Sequence, residues 1–267
     1  MSGAIGWASV MWALALCVSS SPTALAGKGV REPQKVAAHA PDVFEKVDAA
    51  VASGALTQAE ATVLKLETTL GKRELPAELR LEGSQALRCG FGLTQEAHKL
   101  RSEFTSGQYA RASAAQARPT NDTSVVSPSG HFRLHYDTIG VETVPTEDLD
   151  LNGVAVYLDS AWDYYHTTLG FLTPPSDGIA GGDDKYDVYF LAILGYGATI
   201  FDGAGPAPWD DFSSYIMMHR DFTGFAPNFD PEGSEIGALK VTAAHEYFHA
   251  VQLADDGNDD LWLYEYT

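Results

Sequence analysis

LKVTAAHEYFHAVQLA, residues 239–254, holds His245, Glu246 and His249 in the order His-Glu-x-x-His. Residues four apart on an α-helix share a face, so this spacing aims two imidazoles at one point. Neutral imidazole is a good zinc ligand, and Glu246, one position round the helix, misses the ion and reaches water beside it. At about 100° per residue, Leu239, Val241, Ala243, Ala244, Tyr247, Phe248, Ala250, Val251 and Ala254 form one broad apolar arc. The polar strip that remains holds Thr242, His245, Glu246, His249 and Gln252. This pattern predicts a helix buried in a domain with its strip lining a cleft. The alternative is a surface helix with a polar face.

A zinc site of this kind needs a third protein ligand. Asp255-Asp256-Gly257-Asn258-Asp259-Asp260 is a turn and capping cluster, and LWLYEY after it reads as a new helix with Asp260 as N-cap. Six residues out from His249 advance about 9 Å, and five residues back on an antiparallel helix recover about 7.5 Å, which returns Glu265 towards the level of His249. The competing ligand is Asp255, six residues past His249. It would require the chain to leave the helix, and Gln252 stands where a helix-breaking glycine would be needed. The spacing favours Glu265 and leaves Asp255 as the second candidate.

HFRLHYD (131–137), PPSDGIAGGDDKYDVYF (174–190), LKVTAAHEYFHAVQ (239–252) and the Trp262-x-x-Glu265 of WLYE together resemble a family of secreted bacterial zinc metalloproteases of myxobacterial type, gluzincin-like in ligand set. The resemblance covers residues 127–267. It implies that His245, His249 and Glu265 bind zinc and that Glu246 is the catalytic base.

The composition fits a soluble secreted protein. The chain has 267 residues, 45% hydrophobic, long enough for a sizeable core. Its net charge of −19 is uneven: residues 1–120 carry 13 Lys/Arg against 11 Asp/Glu, and residues 121–267 carry 4 against 25. A domain so acidic repels nucleic acid, and no nucleic-acid partner is expected. Residues 1–26 read as a signal peptide, with Ala4 to Val18 as its apolar core and Ala24-Leu25-Ala26 as the cleavage site, so no membrane anchor is expected after its removal. Cys89 is then the only cysteine left, and it has no partner for an internal disulfide.

Residues 27–104 read as a helical pro-region of three helices. The first carries Val43, Phe44, Val47 and Val51, the second opens on a Thr57-x-x-Glu60 capping box, and the third carries Leu93, Ala97, Leu100 and Phe104. Between the last two lies Leu87-Arg88-Cys89-Gly90. A thiolate there could take the open zinc position and hold the enzyme latent, as in zymogens; the plainer reading is a small buried hydrophobe. Residues 105–129 read as a linker, with Arg111 as a processing point. In the domain over residues 130–267, residues 131–137 alternate as a half-buried strand, residues 152–169 form a long helix, and residues 186–194 form a central strand. Residues 213–219 are a further strand, read as the edge beside the zinc helix. Asp177, Asp183, Asp184 and Asp187 are candidate calcium ligands, with a solvated acidic turn as the alternative.

The expectation is an α+β, zincin-like peptidase subdomain, a mixed sheet plus active-site helix, whose C-terminal subdomain lies beyond Thr267. Its function would be secreted, zinc-dependent hydrolysis of a protein or peptide substrate. The rival is a non-catalytic zinc-binding or adhesion module, or an inactive fragment.

Overall fold

The computed structural model describes residues 42–140, 142–144, 151–260 and 265. The signal peptide, the first part of the pro-region and Trp262 lie outside these. The described residues belong to one compact unit, an α+β architecture with six α-helices and a five-stranded mixed sheet.

Four helices come first. α1 (Glu45–Ala52) is followed by α2 (Gln58–Thr69), which opens on the predicted capping box: Thr57 accepts from the Glu60 main chain and Glu60 reaches back to the Thr57 main chain. α3 (Phe91–Leu100) is the third predicted helix. The fourth corrects the sequence reading, because α4 (Ser106–Ala115) occupies the expected linker. It opens on a second capping box, Thr105 with Gln108, buries Ala112 and Ala115, and ion-pairs its Arg111 with Glu67 of α2. Arg111 is therefore part of a packed helix and not a linker cleavage point.

The sheet begins inside the same expected linker, with β1 (Thr123–Val126). β2 (Phe132–Tyr136) pairs antiparallel with β1, and α5 (Leu151–Trp162) then leads to β3 (Tyr186–Leu191), which runs parallel to β2. The helix continues as a π-turn over Asp163–Thr168. Val156 and Leu169 are about half exposed, since the face of α5 that meets the sheet carries Val154, Ala155, Leu158 and Ala161.

β4 (Gly197–Ala204), β5 (Phe212–His219) and α6 (Ser234–Leu253) complete the described elements. The strand order is β1-β2-β3-β5-β4, with β5 parallel to β3 and antiparallel to β4. Residues 213–219 are therefore interior, and the edge strand beside α6 is β4. The sequence hid β4 inside a glycine-rich run. Gly197 is required there because a Cβ at that position would lie 2.8 Å from both Glu246 Cγ and Thr242 Cγ2.

Period-two alternation gives the sheet two apolar faces. Phe132, Leu134, Val188, Phe190, Ile216 and Met218 face α5 and α6, while Tyr189, Leu191, Ala198, Ile200, Tyr215 and Met217 face the helical front of the chain. Val63, Leu66, Leu70 and Ala97 pack on the second face. Each fully buried large apolar side chain stabilises the fold by about 1.5–3 kcal/mol, so this helical cover contributes substantially to the sheet's stability.

Candidate metal centre

α6 sits close to the sheet because Ala238, Ala243 and Ala250 are small and buried. Tyr247 anchors its apolar side: the ring packs edge-on against Phe132 and Tyr186, and the hydroxyl is 2.8 Å from His166 Nε2. Val241, assigned to the apolar arc by sequence, is 70% exposed and lines the cleft mouth. The other side of the helix carries the predicted strip.

On that strip His245 Nε2 and His249 Nε2 lie 3.0 Å apart. Glu265, helical and described in isolation from its neighbours, places Oε2 3.7 Å from His245 Nε2 and Oε1 3.8 Å from His249 Nε2. Cys89 Sγ, 160 residues earlier in the chain, lies 3.3 Å from His249 Nε2. Among the described residues these four are the group that could hold a metal, with all donor atoms within 4.8 Å of one another. With zinc–nitrogen bonds of about 2.0–2.1 Å and zinc–sulfur bonds of about 2.3 Å, the edges of a tetrahedron are roughly 3.3–3.6 Å. The observed separations bracket those edges, and two imidazoles, one carboxylate and one thiol are a zinc-type donor set.

The surroundings orient these donors. His249 is fully buried, stacked on Phe91 with ring centroids 4.3 Å apart, and its Nδ1 lies 2.9 Å from Gln252 Oε1. Donation from Nδ1 to the amide oxygen leaves Nε2 with its lone pair facing the cluster. Burial, then the neighbouring His245, push the His249 pKa down to about 3, and burial also lowers that of His245. Both imidazoles are therefore neutral at pH 7, the form that binds a metal. Burial, followed by the charges of Glu246 and Glu265, raises the Cys89 thiol well above its ordinary value.

Glu246 is completely buried. Its pKa is pushed up to about 8, chiefly by burial, with the Thr199 hydroxyl and then the Cys89 thiol acting in the opposite direction. Thr199, on β4, has its Oγ1 2.9 Å from Glu246 Oε2. Glu246 Oε1 is buried with no hydrogen-bond partner. An unsatisfied buried acceptor of this kind is costly unless something else meets it. The cluster opens on a cleft of about 630 Å³ lined by Arg88, Tyr196, Asn228, Asp230 and Thr242, among others.

The remaining predicted residues lie elsewhere. Asp255 follows the Ala254 C-cap, is exposed, and takes no part in the donor group. The calcium candidates do not converge. Asp177 and Asp187 both ion-pair with Arg118, which also meets Asp202 at 2.8 Å, whereas Asp183 pairs with Arg133 and Lys185. Arginine and lysine thus neutralise these carboxylates, and Asp184 lines a separate cleft. Sequence reasoning missed Thr199, Phe91 and the role of Gln252. Only Gln252 carried a signal, three residues past His249 on the same strip. No protein-family model, curated protein or solved structure matches the chain.

Proposed function

We propose that the chain is a zinc-dependent peptidase of zincin type, secreted and acting on protein or peptide substrates. The observation that supports this most is the meeting of two imidazoles, the Glu265 carboxylate and the Cys89 thiol within a 4.8 Å group, the imidazoles standing on the helix that also carries the wholly buried Glu246. His245, His249 and Glu265 would hold the ion. When bound, zinc supplies Lewis acidity towards the scissile carbonyl and the attacking water.

The protein's own groups divide the rest of the work. Gln252 and Phe91 keep the His249 ring in one orientation. With the ion in place Glu246 would be ionised, and its carboxylate would take a proton from water at Oε1 and give it to the leaving amine, while Thr199 steadies Oε2. An extended substrate would add to the sheet beside β4, at the outward main-chain groups of Tyr196 and Gly197. The cleft next to His245 would receive side chains.

One observation favours the second reading, a non-catalytic zinc-binding module: a thiol that completes a four-donor set makes a closed centre, as in structural zinc sites. Hydrolysis of mixed casein peptides by zinc-loaded protein, measured with native Cys89 and with Cys89→Ala, separates the two. Chelator-sensitive cleavage supports the peptidase. Bound zinc without turnover in either form supports the module.

A further inference from the structure

Residues 87–90 approach the site through main chain as well as side chain. Leu87 O accepts from Tyr196 N at 2.9 Å, and Gly90 N donates to Gly197 O at 2.8 Å. These are the edge groups at the end of β4 that lies over Glu246. The fit is close on both sides: a Cβ on Gly195 would lie 2.8 Å from Leu87 O, and a Cβ on Gly90 would lie 2.7 Å from Ala198 Cβ. Glycine at both positions lets the two strands of main chain come this near.

The side chains continue the contact. Cys89 Sγ meets His249 Nε2 at 3.3 Å and accepts from Phe91 N at 3.3 Å, while Phe91 opens α3 against the His249 ring. A second observation stands apart from the cysteine. Glu246 Oε1, on a wholly buried side chain, has no hydrogen-bond partner. A buried acceptor of this kind calls for a water or substrate proton to meet it. No α-helix or sheet strand lies between Leu79 and Phe91, so the segment can leave with the loss of only the first bonds of α3, which Leu93 N and Thr94 N make to Gly90 O.

We infer that residues 87–90 are an internal plug: Cys89 takes the metal position that substrate needs, the flanking main chain fills the β4 edge, and the site opens when the segment withdraws. This rests on the proposed zinc reading and adds its control. On ligation the thiol gives its proton to solvent, and on withdrawal it takes one back, so no redox partner is required. The plug also explains how a four-donor centre can belong to an enzyme, since one donor is removable.

The test uses the full chain loaded with cobalt(II) in place of zinc, with Cys89→Ala and Cys89→Ser compared with the native residue. The plug predicts a thiolate-to-cobalt charge-transfer band in the native chain, lost in both variants at unchanged cobalt content. It also predicts that acetohydroxamate perturbs the cobalt spectrum of the variants at concentrations at least about tenfold lower than in the native chain, a difference of about 1.4 kcal/mol. Absence of the band in the native chain overturns the plug. So does loss of cobalt from both variants while they melt as folded proteins, because Cys89 would then be a permanent structural ligand. Equal response to acetohydroxamate overturns it as well. Success here with no peptide cleavage by any form upholds the plug and rejects the peptidase.

Discussion

Thr199 Oγ1 stands 2.7 Å from the main-chain oxygen of Glu246 and 2.9 Å from its Oε2. A hydroxyl has one hydrogen to donate, and the carbonyl can only accept. The single hydrogen is shared between these two acceptors, so it offsets only part of the cost of burying the carboxyl. Burial outweighs it and pushes the Glu246 pKa up to about 8, so the metal-free chain holds Glu246 as a neutral acid at pH 7.

Metal-free protein should therefore lose stability as pH rises. The folded chain keeps a proton on Glu246 that the unfolded chain releases near the ordinary 4.5, so the stabilisation is complete below 4.5 and is lost as pH rises through about 8. The slope is at most about 1.4 kcal/mol per pH unit. Urea denaturation from pH 7 to 9 should show this decline, above the range in which the buried neutral His249 acts in the opposite sense, and Glu246→Gln should flatten it. An unchanged slope in the variant would show that the proton resides elsewhere.

Thr199→Val keeps the shape and removes the hydroxyl, leaving two buried oxygens of Glu246 without their donor. The expected cost is about 1–3 kcal/mol, read as a lower urea midpoint with the slope of the transition unchanged.

Glu265→Ala should weaken zinc binding by at least about 100-fold, the upper range for perturbing even an outer partner of a metal ligand. Asp255→Ala should leave affinity unchanged, since that carboxylate is exposed beyond the end of α6. Competition against a chromophoric chelator measures both. The reverse ranking would move the third ligand to Asp255.

Arg118→Ala strips the common partner from Asp177, Asp187 and Asp202. At pH 7.5 it should destabilise the fold by about 3 kcal/mol, because buried Asp177 is left unpaired while Asp187 keeps His135. At pH 4.5 the cost should be smaller, since burial raises Asp177 to about 6 and it is then protonated. Thermal melts at the two pH values decide this.

What the sequence made legible follows its local chemistry. The α6 strip needed only helical periodicity, and α2 announced itself through Thr57 and Glu60. β2 and β3 were visible as apolar alternation and as a continuous apolar run. α4 escaped because alanine, not leucine, forms its buried face, and its box uses Gln108 in place of glutamate. β4 escaped because Gly197 and Gly203 look like loop residues, although contact with α6 demands the first of them. The helical front reads as a separate pro-region because its helices are poor in large apolar residues. Its apolar positions nevertheless match the sheet's second face. Cys89 was legible as a candidate thiolate, but its place against His249, like that of Thr199 against Glu246, comes from tertiary structure alone.

The central claim is that Glu246 moves the proton at a zinc centre held by His245, His249 and Glu265. Its most direct measurement is peptide turnover by zinc-loaded Cys89→Ala protein with and without Glu246→Gln, alongside zinc content. The account predicts a fall of about 100-fold or more at unchanged zinc, because a proton carrier is lost and no ligand is. Equal rates in the two proteins, or no cleavage by the Cys89→Ala form at full zinc occupancy, would contradict it.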